Sequence, residues 1–203
     1  FVGMTKLTNK FNTVSLDYGG GGLTPRMMEQ RYKQICNDGI INVGGRIIQL
    51  DAVDTVYMFT DVDHYECELK EILHRQETDT PKWIISNPDF EIWIYYCFRN
   101  SPDTELKEVL DATPSTRSSL LKNINGRFNN HGGLDTRKAF EHLEDGIAHS
   151  REHYTEADGI PDLLSTQMYI FAEDVLMRLG EEYSRFVETK RAFREKMREK
   201  KKL

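Results

Sequence analysis

Two short apolar runs constrain what this chain can fold into more than any other feature. Val56-Tyr-Met-Phe-Thr60 and Lys82-Trp-Ile-Ile-Ser86 are rich in β-branched and aromatic residues, the pattern of strands buried on both faces of a sheet. Each stops at polar residues, the first at Asp61-Val-Asp63 and the second at Asn87-Pro88. Between them, Glu66 to Gln76 reads as a helix with Leu69, Ile72 and Leu73 inward, and Phe90 to Phe98 reads as a strongly apolar helix. Strand, helix, strand, helix at this spacing predicts a parallel α/β core over roughly residues 12 to 100, because parallel neighbours need a long crossover.

The flanking segments extend this pattern. Asn12 to Asp17 reads as a strand ending in the flexible turn Gly19-Gly-Gly-Gly22. Thr24 is placed to cap a helix with Pro25 in its first turn, Met27, Met28, Tyr32 and Ile35 inward, and Asp38-Gly39 as its stop. Ile40 to Leu50 fits either a hairpin or a loop with strand character, since Gly44-Gly45 interrupts it. Beyond Asn100 the chain reads as mostly helical. Asn123 to Gly133 is a polar linker or loop, Thr136 to about Tyr154 a helix, and Asp158-Gly-Ile-Pro161 a turn. Ser165-Thr166 can cap a last long helix carrying Met168, Phe171, Val175 and Leu179, which Gly180 can kink. The division expected is an α/β core over residues 1–100 and a helical region with a basic tail over residues 101–203.

Charge narrows the classes of partner. Of 27 basic and 33 acidic residues, eight basic and two acidic fall in 190–203, leaving 19 against 31 in the rest. An acidic body with a basic tail does not suit nucleic-acid binding by bulk charge alone. The three cysteines, Cys36, Cys67 and Cys97, show no C-x-x-C spacing, which fits a reducing cytoplasm. No apolar run reaches bilayer-spanning length, so no membrane partner is expected.

Asp61 and Asp63, two apart on extended chain at a strand end, point the same way and could share a hard cation through oxygen. From Asp51 to Asp79 there are nine acids and only Lys70 and Arg75 as bases, a balance that suits a divalent metal. Acids at strand ends also cap helices or face water, and that reading stays open. In Ser86-Asn-Pro-Asp-Phe-Glu91, Asn87 before Pro88 is good N-cap chemistry, and Ser86 with Asp89 resembles a capping box. Glu91 would join Asp61 and Asp63 at one sheet edge if the two strands are neighbours, or would only complement the helix dipole. His64 could touch a phosphate or carry a proton. His142, His149 and His153 share a helix face and read as surface or partly packed side chains. Phe186, Phe193 and Met197 give the basic tail a packing stripe, for a partner or a solvated helix end.

Taken together, Val56-Tyr-Met-Phe-Thr-Asp-Val-Asp-His64 and Ile84-Ile-Ser-Asn-Pro-Asp-Phe-Glu-Ile-Trp93 resemble the RloB-like family, bacterial anti-phage defence proteins with a TOPRIM-type nuclease core. In that family an apolar strand ends in D-x-D, and a later strand ends in S-N-P-x-F-E-hydrophobic-W. Ala139 to His149 and Leu164-Ser-Thr-Gln167 resemble its later helix and the cap before its final helix. The resemblance covers roughly residues 12 to 180. It implies a TOPRIM-like parallel sheet flanked by helices and an endonuclease acting on DNA or RNA. Asp61, Asp63 and Glu91 would bind Mg²⁺ or Mn²⁺, with Asn87 and His64 completing the catalytic set. It also implies an ATPase partner of the AAA or ABC type, and leaves a homo-oligomer open.

One departure bears on the expected activity. TOPRIM domains begin with a strand ending in Glu-Gly, whereas the first glutamate here, Glu29, falls inside the first helix. The expectation is that the missing strand and its glutamate lie upstream of Phe1. The rival readings are a non-catalytic TOPRIM-like interaction module assembling with the ATPase, and a metal-dependent phosphotransfer enzyme acting on nucleotides.

Overall fold

A computed structural model describes residues 23–43, 46–52, 54–62, 65–75, 81–128 and 136–200. The expected strand at Asn12 to Asp17 and the glycines at 19–22 and 44–45 lie outside them. Helix α1 (Pro25–Asp38) begins and ends where its capping residues dictate. Thr24 is extended, its Oγ1 accepts a hydrogen bond from the Met27 N–H, and Pro25 sits in the first turn. Gly39 takes the left-handed conformation at φ 65°, and its N–H donates to the Ile35 carbonyl. The ambiguous segment after it is a hairpin: β1 (Ile40–Val43) pairs antiparallel with β2 (Arg46–Gln49).

The strand–helix–strand unit follows. β3 (Tyr57–Asp61) and β4 (Lys82–Ser86) pair in parallel, from Tyr57 opposite Lys82 to Asp61 opposite Ser86, with α2 (Glu66–His74) as the crossover. Sealing differs between the strands. Ile85 packs with Val62, Leu69 and Ile160 on one face of β4. Ile84 packs with Trp93, Met168 and Ala172 in another cluster. Burial on both faces therefore holds for β4 but not for β3, where Phe59 is 44% exposed and meets Phe171 edge-on. Among the described residues the molecule is mixed α/β with small sheets, and β3–β4 is the parallel pair.

Helix α3 (Glu91–Tyr96) is buried all round and joins two apolar clusters. Trp93 and Ile94 face Phe140, Leu143 and Val175, whereas Ile92, Tyr95 and Tyr96 face Leu106, Val109 and Leu121. The second set comes from α5 (Lys107–Leu110), α6 (Pro114–Arg127) and Leu106, the residue that joins α4 (Pro102–Glu105) to α5. Residues 123–127, expected as part of a linker, are instead the last turns of α6, because Leu121, Ile124 and Asn125 are buried and α6 packs against α3. The expected helix from Thr136 is divided into α7 (Thr136–Ala139), a 3₁₀ turn at Phe140–His142, and α8 (Leu143–Glu152). Gly146 lets α8 approach α3 closely: a Cβ there would stand 2.8 Å from the Trp93 ring and 2.9 Å from Cys97 Sγ.

The turn at residues 158–161 belongs to a tight hairpin of β5 (Glu156–Ala157) and β6 (Ile160–Pro161), with Asp158 and Gly159 both at positive φ. The chain then runs beside β4. Asn87 N–H donates to the Ser165 carbonyl, Leu164 N–H to the Asn87 carbonyl, and Gln167 N–H to the Ile85 carbonyl. The Gln167 Oε1 accepts from the Ile85 N–H in return. Thr166 Oγ1 accepts from the Met168 N–H at the start of α9 (Met168–Leu179), although the N-cap position falls on Gln167, one residue past the expected Ser165-Thr166. Gly180, at φ 51° and ψ −126°, separates α9 from α10 (Glu181–Lys200). Tyr183 and Val187 bury one face of α10, while Phe193 and Met197 are exposed. Among the described residues, no helix is long and apolar enough to cross a membrane.

Candidate functional site

Parallel pairing places the ends of β3 and β4 at one edge of the sheet, where open α/β sheets bind ligands. Asp61 stands opposite Ser86 in register, and the Val62 N–H donates to the Ser86 carbonyl at 2.9 Å. A cavity of about 290 Å³ opens here, lined by Phe59, Thr60, Asp61, Ser86, Phe90 and Met168 together with Ile84. Ser86 Oγ shares a 2.8 Å hydrogen bond with Thr166 Oγ1, which fixes the floor of this corner.

The segment after β4 turns through a cis Asn87–Pro88 peptide bond. Asn87 does not cap the helix as its type suggests. Its Nδ2 donates to the Pro161 carbonyl at 2.8 Å, tethering the β5–β6 hairpin, and α3 starts only at Glu91. Asp89 takes the capping role, its carboxylate accepting from the Glu91 N–H at 3.2 Å. The N-cap position itself falls on Phe90, later than either Ser86 or Asn87 predicts.

Asp89 is the most constrained acid of the cluster. It is 3% exposed, and its Oδ2 has no hydrogen-bond partner within reach among the described residues. Its nearest cation is the ammonium of Lys122, from α6, at 3.7 Å, and the same ammonium lies 3.6 Å from Glu91 Oε1. Burial, reinforced by the charges of Glu91 and Asp61, pushes the Asp89 carboxyl up to about 7. Lys122 and the Ser118 hydroxyl pull the other way. Partial burial lowers the Lys122 ammonium, but Glu91, Asp89 and Asp61 outweigh it and hold it above the usual lysine range. Asn125, also on α6, donates from Nδ2 to the Glu91 carbonyl at 2.9 Å, while its buried Oδ1 has no partner among the described residues.

Of the residues singled out from the sequence, Asp61 and Glu91 come to the same edge, and Asn87 belongs to the adjoining turn. Asp63 and His64 lie outside the described residues. Asp89 and Lys122 were missed: the first reads as a simple cap, and the second belongs to a helix far along the chain that carries no motif. Among the described residues, no three Asp, Glu, His or Cys side chains are gathered around one point as a metal site requires. Asp61 and Glu91 supply carboxylate oxygens, the donor type that hard divalent cations take, but among the described residues they are not joined by a third ligand around one point.

The remaining candidates are occupied elsewhere. Glu29 is buried in α1 and pairs with Arg75 at 2.9 Å and Lys33 at 3.5 Å, so it does not stand in for a sheet-edge glutamate. His142 meets Asp145, His149 meets the Tyr96 carbonyl, and His153 stacks on Tyr96 beside Asn100. They are the partly packed side chains expected, each with its own partner. Comparison of the chain with family models, with curated proteins and with solved structures gives no match.

Proposed function

We propose that the protein is a Mg²⁺- or Mn²⁺-dependent endonuclease with a TOPRIM-like core, similar to the RloB-like family, cutting DNA or RNA in bacterial antiviral defence under control of an AAA- or ABC-type ATPase. The observation that carries this reading is the parallel register of Asp61 opposite Ser86, which puts both motif segments at one end of the sheet. Asp61, Asp89 and Glu91, with Asp63, would hold the cation. When bound, a divalent ion polarises a phosphoryl oxygen and makes water a better nucleophile. Phe59 and Phe90, lining the adjoining cavity, offer aromatic faces on which a base could stack. The Ser86–Thr166 hydroxyl pair keeps this edge rigid, and Asn125 anchors the first turn of α3 through the Glu91 carbonyl.

One observation favours the alternative, a non-catalytic interaction module: the Lys122 ammonium already partly balances Asp89 and Glu91 without any metal. The test is cleavage of plasmid DNA and total RNA in Mg²⁺ or Mn²⁺, with and without the ATPase, comparing the wild type with Asp61→Asn. Cutting that disappears in a folded Asp61→Asn variant supports the nuclease. Wild type that cuts neither polymer with the ATPase present overturns it in favour of the interaction module.

A further inference from the structure

Helix α10 carries an apolar stripe that is covered at one end and bare at the other. Tyr183 and Val187 are buried against the body, and Phe186 is partly buried where its ring meets Phe140 edge-on. The ammonium of Lys190 lies over the Phe186 ring, and Arg194 pairs with Glu141. Phe193 and Met197 continue the same stripe at helical spacing, yet Phe193 is 61% exposed and Met197 42%. The stripe outruns the surface on which it packs, and the residues around its bare end are mostly cationic: Arg191, Lys196, Arg198 and Lys200.

A second uncovered apolar surface lies between α8 and α9. A groove of about 670 Å³ opens there, within the size range of sites that enclose a whole small ligand, with Ile147, Ile170, Leu176 and Met177 among its walls. Ile170 and Met177 are exposed, Met177 by 75%. The charged groups in the groove are Glu144, Glu173 and Asp174 against Lys82 and Arg151. Glu173 is paired with Arg151, and Asp174 accepts hydrogen bonds from the Tyr57 hydroxyl and from Arg178, both at 2.8 Å. The groove therefore carries no excess of positive charge that would repel a cationic helix. Attraction comes from longer range: residues 190–203 hold eight bases against two acids, and residues 1–189 hold 19 against 31.

We propose that the outer end of α10 of one copy docks in the α8–α9 groove of a second copy, with Phe193 and Met197 against the groove's apolar walls. Each surface supplies what the other lacks: a cationic ridge with two uncovered apolar side chains, and an apolar recess on an acidic body. The two surfaces are unlike, so every copy carries one of each, and the contact is reciprocated between two copies or passed on to a third. From Arg191 to Lys200 the helix is about 15 Å long, less than a standard interface spans, so the association is weak and depends on concentration. The proposal is independent of metal binding and of catalysis.

The experiment is sedimentation equilibrium of the full chain, freed of nucleic acid, from about 1 to about 500 μM, a range that brackets weak association. The average mass of wild type is expected to rise from one chain toward two or more, and to rise less in about 1 M salt, where charges are screened beyond about 3 Å. Phe193→Gln and Met177→Lys change exposed side chains and leave the fold intact, and each should stay at one chain. Mixed together they should associate again, because the first retains an intact groove and the second an intact helix. Leu110→Asp, at an exposed apolar position on α5, should behave as wild type. The proposal is overturned if wild type stays at one chain throughout, if salt strengthens its association, if either groove or helix variant associates as wild type does, or if their mixture stays at one chain. It is also overturned if Leu110→Asp abolishes association, which would mark indiscriminate clustering of apolar surface.

Discussion

The body of α3 and the turn that leads into it differ sharply, although they are continuous in sequence. From Ile92 to Tyr96 every side chain is buried, and the tyrosine hydroxyls are matched: Tyr95 donates to Glu105 and Tyr96 to the Leu164 carbonyl. At Asp89 and Glu91, one turn earlier, polarity is also enclosed, but the cation beside them is the half-exposed Lys122, at 3.7 and 3.6 Å. The tyrosine hydroxyls of the helix body are paired at close range, whereas the carboxylates of the entry turn meet Lys122 at these longer distances.

The contrast can be broken most forcefully in the apolar body. Trp93→Ala empties a fully buried position in the cluster that joins Ile84 to α8 and α9, and should cost about 3–5 kcal/mol in urea unfolding. A loss under about 1 kcal/mol would mean that α3 is not the central element described. Gly146→Ala should come next, at about 1–3 kcal/mol, because the new methyl meets the Trp93 ring and Cys97 Sγ below normal contact distance. Pairing Gly146→Ala with Trp93→Phe should restore part of that loss, and strict additivity would show that the two do not touch.

The entry turn calls for a pH experiment instead. The Asp89 carboxyl, ordinarily 3.8, is raised to about 7 in the folded protein, so between those limits the native state holds a proton that the unfolded chain has released. Stability from this group is complete below about pH 4 and declines as pH rises toward 7. Unfolding free energies at several pH values should show that decline in wild type and a flatter profile in Asp89→Asn; parallel profiles would refute it. The smallest effect expected is that of Tyr96→Phe, about 1 kcal/mol and independent of pH over the same range, for one lost hydrogen bond to the Leu164 carbonyl.

Much of the frame was legible from local signals. Thr24-Pro25 and Gly39 bound α1 because capping is decided within a few residues, and the β3–α2–β4 unit follows from two apolar runs and one amphipathic stretch. What escaped depends on distant packing. Residues 123–127 look like a loop because asparagine and glycine favour turns, yet Ile124 and Asn125 are buried as α6 packs against α3. Phe59 reads as core because its neighbours do, although its strand is covered less completely than β4. At the site, Asp61 and Glu91 could be paired from their places at two strand ends. Asp89 looked like an ordinary cap, because nothing near it in sequence announces the helix that encloses it. Lys122 was invisible for the same reason: its role is set by where α6 lands.

The chain that runs antiparallel past the end of β4, with Ser165 and Gln167 bonded to the backbone of Asn87 and Ile85, makes this sheet directional. That flank is closed by the protein's own main chain, so any additional strand, whether from this polypeptide or from another, has to add alongside β3. Enlargement would therefore begin on the Asp61 side of the cleft. Whatever joined the sheet would border the acidic corner.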